Sequence, residues 1–225
     1  MRNGLRLAVI LVMASVPVVA QDAISTLPDN YQLHFENEWV KVTHVHYPPH
    51  AKLPAHTHTA LPSAYVYLND SGPVIFRHVG GENGAVTRTP TKAGSFRVFR
   101  AVPDEIHEVE NTSAIPSDFL RVEFKTHPGP DPRSLRGKFL AEPTFDALIQ
   151  KVQFENAQIR VTRLFWPAGQ TIEIAGAPHP SLLISLSPGS MGHVRWRAPG
   201  TADRIQNASK SAMESLRFEV KTTPK

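Results

Sequence analysis

Leu120-Arg121-Val122-Glu123-Phe124-Lys125-Thr126 returns 96 residues later as Leu216-Arg217-Phe218-Glu219-Val220-Lys221-Thr222. In the first of these, apolar Leu120, Val122 and Phe124 alternate with Arg121 and Glu123, the two-residue period of a strand with one dry and one wet face. Upstream, Asn111-Thr112-Ser113 matches Asn207-Ala208-Ser209 at the same offset. Further back the offset changes. Phe35-Glu36-Asn37 matches Phe154-Glu155-Asn156 at 119 residues, followed without a gap by Val40-Lys41-Val42-Thr43 against Ile159-Arg160-Val161-Thr162. Tyr47-Pro48 then matches Trp166-Pro167. One unit therefore occurs twice, and its second copy lacks 23 residues from the middle.

The unit is built of short β-like runs. Tyr31–Phe35, Val40–Tyr47, Ala64–Leu68, Pro73–His78, Val86–Arg88, Ser95–Arg100, Glu105–Val109 and Phe119–Thr126 are separated by turn-rich breaks such as Asn69-Asp70-Ser71-Gly72, Gly80-Gly81-Glu82-Asn83-Gly84 and Pro103-Asp104. Close spacing of this kind predicts an all-β antiparallel sandwich or barrel. His127–Arg136, with three prolines, reads as a linker, and one short helix is expected around Thr144–Lys151. The expected division is a leader over 1–20, a first unit over 21–130, and a linker plus shortened second unit over 131–225.

The leader is read from Met1–Ala20. Arg2 and Arg6 precede the apolar run Leu7–Met13, and the segment ends in Val18-Val19-Ala20. This is the order of a secretory signal peptide cut after Ala20, leaving a periplasmic or secreted chain with no membrane segment. Its removal lowers the net charge from +4 to +2, too little and too dispersed for nucleic acid. With 41% hydrophobic residues the chain can build a core. The absence of cysteine excludes disulfides, thiolate zinc sites, iron–sulfur clusters and a cysteine nucleophile. No phosphate-cradling glycine loop, dinucleotide fingerprint or Gly-x-Ser-x-Gly elbow is present.

The chemistry sits in Pro54-Ala55-His56-Thr57-His58. On a strand, His56 and His58 point to one side, and neutral imidazole suits zinc, iron, copper or nickel. A third imidazole is available from His107, in Glu105-Ile106-His107-Glu108-Val109-Glu110-Asn111.

A Pro-x-His-x-His entry followed far downstream by His-x-x-x-Asn resembles the two motifs of the cupin superfamily, over about Val40 to Phe124. The resemblance implies two jelly-roll units, the second degenerate. It places His56, His58 and His107 as ligands of one divalent metal ion, with iron, zinc, manganese, nickel and copper all open, and Asn111 at the end of the second motif. It also implies a small-molecule ligand or substrate and admits a homodimer. Two readings follow: a metal-dependent enzyme, such as an oxygenase, on a small polar substrate, or a non-catalytic small-molecule-binding protein. Cupins usually add a glutamate four or five residues after the second histidine, where this chain has Pro62 and Ser63. The usual Pro-x-Gly before the second motif is replaced by Ala101-Val102-Pro103. A site of three neutral ligands leaves the metal's charge uncompensated, which favours an anionic substrate or bound hydroxide.

The second copy has Ala175, Gly176 and Ala177 for His56, Thr57 and His58, and Asp203 for His107. It is read as a packing partner without a site, with His179 in a loop. Its missing strands leave an edge that pairing of the two copies is expected to cover. His44, His46 and His50 are expected outside the ligand set. Glu105 is expected as a surface acid, though its strand parity with His107 would let it replace the lost carboxylate. Tyr65 and Tyr67 are expected to pack in the core, and Arg97 and Arg100 to be solvated.

Overall fold

The computed structural model describes residues 22–79, 84–102, 105–128, 138–140 and 149–225. The expected leader, the breaks at 80–83 and 103–104, and most of the expected linker and helix lie outside the described residues.

The regular structure of the described chain is almost entirely antiparallel strand. The first unit contains β1 (Tyr31–Glu36), β2 (Val40–Tyr47), β3 (Lys52–Thr57), β4 (Ser63–Tyr67), β5 (Val74–His78), β6 (Ala85–Arg88), β7 (Phe96–Phe99), β8 (Ile106–Asn111) and β9 (Ser117–Phe124). A one-turn helix, α1 (Ala23–Thr26), precedes it. β10 (Lys138–Leu140) is followed by the second unit: β11 (Ile149–Glu155), β12 (Ile159–Trp166), β13 (Thr171–Ile174), β14 (Ser181–Ser185), β15 (Val194–Arg197), β16 (Asp203–Gln206) and β17 (Met213–Val220). Part of the expected helix, Ile149–Lys151, is therefore strand β11.

The first unit is a two-sheet jelly roll. One sheet has the order β1-β2-β9-β4-β7-β10 and the other β3-β8-β5-β6. The second unit repeats the plan as β11-β12-β17-β14-β15 and β13-β16, with no counterpart of β5 and β6. Those two strands account for the residues missing from the repeat. The copies agree in detail. The β1/β2 register slips between Leu33 and Phe35, and the β11/β12 register slips between Val152 and Phe154. Asn111 Nδ2 donates to the carbonyls of Tyr47, Pro48 and Ile115, and Asn207 Nδ2 to those of Trp166, Pro167 and Ser211. Each asparagine satisfies three turn carbonyls that would otherwise stay unpaired, so Asn111 serves the fold.

The largest apolar cluster lies between the two units. Val42, Val66, Phe96, Leu120, Val122 and Phe124 of the six-stranded sheet meet Val161, Leu182, Ile184, Leu216, Phe218 and Val220 of the five-stranded sheet. Phe218 packs its ring 6.1 Å from Phe96 and 6.2 Å from Phe124, centroid to centroid. Polar links join the units as well: Arg163 donates to the Gly94 carbonyl at 2.7 Å and Gln158 to the Thr126 carbonyl at 3.2 Å. The copies thus cover each other through sheet faces rather than through the edge anticipated from the missing strands.

This arrangement corrects the reading of β9. Leu120, Val122 and Phe124 face the other unit, and Arg121 and Glu123 are also buried, at 5% and 3% exposure. Their side of the strand is turned to the inside of the first unit, where Arg121 Nε lies 3.3 Å from Glu123 Oε1. The second copy repeats the pair as Arg217 and Glu219 at 3.1 Å.

Candidate metal centre

Three antiparallel strands set one histidine each in a row. The register of β3, β8 and β5 places His56 opposite His107 and His107 opposite His78. His58 follows directly after β3. The ring centroids of His56, His58 and His107 lie 4.8–5.3 Å apart. One ring nitrogen from each lies within 4.8 Å of the others. All three histidines expected as ligands are therefore brought together.

An irregular step in β3 makes this possible. Leu53 pairs with Val109, but the next paired residue is His56, opposite His107. β3 thus spends one more residue than β8 over this span, the mark of a β-bulge. Pro54 fits here because a bulge leaves residues outside the ladder. Were every residue of β3 paired in turn, the three-residue spacing from buried Leu53 would turn His56 away from the interior. The second copy has no such step: Thr171–Ile174 pairs continuously with Gln206–Asp203. Asp203 therefore faces Ile174 rather than Ala175, the residue equivalent to His56 by repeat position, and forms an ion pair with Arg197. No ligand cluster is found in the second unit among the described residues. His179 lies in a bend, as expected.

The protonation states follow from burial. His56 is pushed down to about 4 by desolvation. Desolvation likewise carries His58 well below the ordinary imidazole range and lowers His107. All three rings are thus neutral near pH 7, the form that binds metals. His56 Nδ1 lies 2.8 Å from the Pro54 carbonyl, which can only accept, so Nδ1 carries the proton and Nε2 the lone pair. His107 Nδ1 lies 3.5 Å from Glu105 Oε1, the side a carboxylate takes when it orients a ligating ring. Both His107 nitrogens are buried without a hydrogen-bond partner among the described residues. A buried imidazole with two idle nitrogens is costly, and a metal ion is the partner that this donor set fits. Such an ion would supply Lewis acidity and open coordination positions for a bound ligand.

Glu105 is not the surface acid anticipated. It lines the site and accepts a hydrogen bond from His78 Nε2 at 3.0 Å. Burial acts to raise its pKa, but the contacts with His107 and His78 outweigh this and hold it down to about 2. His78, Glu105 and His107 form a second group with metal-ligand spacing, sharing His107 with the first. Sequence reasoning passed over His78, whose signal is a register across β5 and β8. Tyr31 was also missed: its hydroxyl lies 2.8 Å from His56 Nε2 and 2.9 Å from the Tyr47 hydroxyl.

A cavity of about 290 Å³ opens beside His58 and His107. Tyr65 lines it, whereas Tyr67 packs in the core as expected. Arg97, expected in solvent, is 8% exposed and lines the cavity, while Arg100 is exposed at its rim. His44 and His46 stand half-buried outside the cluster and share Asp118 at 3.5 and 2.7 Å. His50 sits in an exposed turn with φ 57°.

Among solved structures, the chain resembles AerE from Microcystis aeruginosa, with a TM-score of 0.57 at 13% identity over 85% of this chain and 97% of that one. It resembles YhaK from Escherichia coli, with a TM-score of 0.50 at 13% identity over 85% and 91%. A cupin 2 conserved barrel domain protein from Leptotrichia buccalis aligns over 84% and 88% at 11% identity, with a TM-score of 0.47. No family model and no curated protein matches the sequence. The fold is the two-unit jelly roll that the resemblance of the motifs implied, shared with AerE and YhaK.

Against the cupin motifs it resembles, this chain departs at the expected positions. Pro62 and Ser63 supply no carboxylate. Ser63 opens β4 and is buried, while the Pro62 carbonyl accepts the Phe124 backbone amide. The nearest buried acid on that side, Glu123, accepts from the Thr59 hydroxyl at 2.5 Å and faces Arg121. The cupin motifs here thus deliver three imidazoles, with Glu105 set beside His107.

Proposed function

We propose that the first unit is a metal-dependent enzyme of the cupin fold, of oxygenase or related type, acting on a small polar substrate. The observation that carries this reading is the convergence of His56, His58 and His107 beside a cavity, with both nitrogens of His107 unpartnered among the described residues. The test is elemental analysis of wild type beside His56→Ala and His107→Ala. About one equivalent of a single metal, lost in both variants, supports the reading. Protein that stays metal-free after reconstitution sinks it. The identity of the metal then directs the substrate screen.

A second reading, a non-catalytic small-molecule-binding cupin, draws on Tyr31, whose hydroxyl occupies the nitrogen of His56 that a metal would need. Turnover that depends on added metal removes it. We also propose export to the periplasm or medium, supported by the composition of residues 1–20. A mature chain beginning at Gln21 by mass spectrometry is expected, and an intact leader in the exported fraction would refute it.

A further inference from the structure

The cavity beside the histidines carries a charge imbalance that a metal site alone does not require. Four guanidiniums line it, those of Arg88, Arg97, Arg100 and Arg121. One carboxylate lines it among the described residues, that of Glu105, and His78 already holds it. Arg121 is answered by Glu123 from behind. Arg88 is answered by no carboxylate among the described residues. It is 4% exposed, Nη2 donates to the hydroxyls of Ser71 and Ser117, and its guanidinium carbon lies 5.2 Å from the Tyr67 ring centre. Its Nε and Nη1 have no hydrogen-bond partner among the described residues.

Guanidinium stays protonated at any working pH, so these charges persist. Burying Arg88 without an acid is unfavourable, and low-dielectric walls focus its field into the cavity. The histidines, neutral through burial, do not offset it. Much of the remaining wall is apolar, with Leu61, Phe76, Val86, Phe99 and Val102, beside the hydroxyls of Thr59, Ser63, Thr87 and Thr89. Inorganic anions have nothing to gain from such walls, whereas an anionic head on an apolar body satisfies both parts.

We propose that this cavity binds a small organic carboxylate, its charged head on the arginine side and its apolar body along Phe76 and Phe99. The inference rests on the proposed function for taking this cavity as the working site, and it names the ligand class. It does not need the metal in place.

The experiment is calorimetric titration of the full mature chain, metal-free and metal-loaded, with benzoate and hexanoate, each beside its uncharged amide. Each carboxylate is expected to bind at least about tenfold more tightly than its amide. Arg88→Gln should remove most of that preference. Because Arg88 is buried and its loss can unfold the chain, Arg100→Gln at the exposed rim is the second variant, expected to narrow the preference by a fewfold. Carboxylates that bind no better than their amides, or that bind neither form of the protein, overturn the inference. Retention of metal without a carboxylate preference leaves the metal reading standing and removes this one. Carboxylate binding to a chain that never takes metal does the reverse.

Discussion

The Tyr31 hydroxyl lies 2.8 Å from His56 Nε2, and His56 Nδ1 is committed to the Pro54 carbonyl. A neutral imidazole has one lone pair, so in this geometry Tyr31 and a metal ion compete for the same nitrogen. Tyr31→Phe is expected to free Nε2 and tighten metal binding by about three- to tenfold, the worth of one net hydrogen bond. Competition against a chelator of known affinity measures it. Weaker binding in the variant would mean that the phenol oxygen itself helps to hold the ion.

Acid should destabilise the metal-free protein in a defined window. His56 is depressed from 6.5 to about 4 by burial, and His58 and His107 are depressed in the same direction. Below pH 6.5 the unfolded chain binds protons that the folded chain refuses, so stability falls from pH 6.5 downward until the folded groups titrate. For His56 alone the loss is about 3 kcal/mol. Glu105, held at about 2, adds a further loss below pH 4.5. Denaturant midpoints across pH 4 to 7 read the slope, and His56→Gln should flatten it. An equally steep slope in the variant would place the titrating groups elsewhere.

Deleting Ala55 should leave the metal site in place. The deletion takes the extra residue out of β3, so Leu53 and His56 would stand two positions apart on one side, as Ile172 and Ile174 do in the second copy. His56 would then stay opposite His107 in a regular ladder. Metal content near that of wild type, with far-ultraviolet circular dichroism unchanged, is the expected outcome. Loss of metal would show that the bulge sets the position of the His56 ring as well as the side it faces.

Phe218→Ala should destabilise the whole molecule rather than the second unit alone. The ring is fully buried between Phe96 and Phe124 of the other unit. Removing a buried phenylalanine costs about 3–5 kcal/mol through lost transfer energy and the cavity left behind. A single, lowered thermal transition is expected. Two separated transitions, with the first unit's unchanged, would contradict it.

Strand positions were legible because the repeat constrains them twice. The one local misreading, a helix reaching Lys151, conflicts with the repeat itself, which puts residues 150–155 at the place of Tyr31–Glu36. Two-residue periodicity was legible on β9, but not which surroundings its charged side meets. Arg121 and Glu123 look like solvent-facing residues until the sheet turns them toward a polar interior. The histidine cluster was readable from three histidines in two motifs. Its support was not, because Tyr31, His78 and Arg88 enter only through registers that tertiary pairing fixes. Nothing in Pro54-Ala55 announces a bulge; the step is visible only against the ladder of β8.

The apolar seam between the copies has an evolutionary consequence. A duplicate that loses its ligands is normally free to drift or be discarded. Here the siteless copy is the ground on which the other copy's main sheet rests, since Val161, Leu182 and Phe218 fill the far side of the strands that carry Arg121 and Tyr65. Selection on the chemistry therefore reaches residues that never approach a ligand. The second copy does without counterparts of β5 and β6 but presents the face it lends to its neighbour.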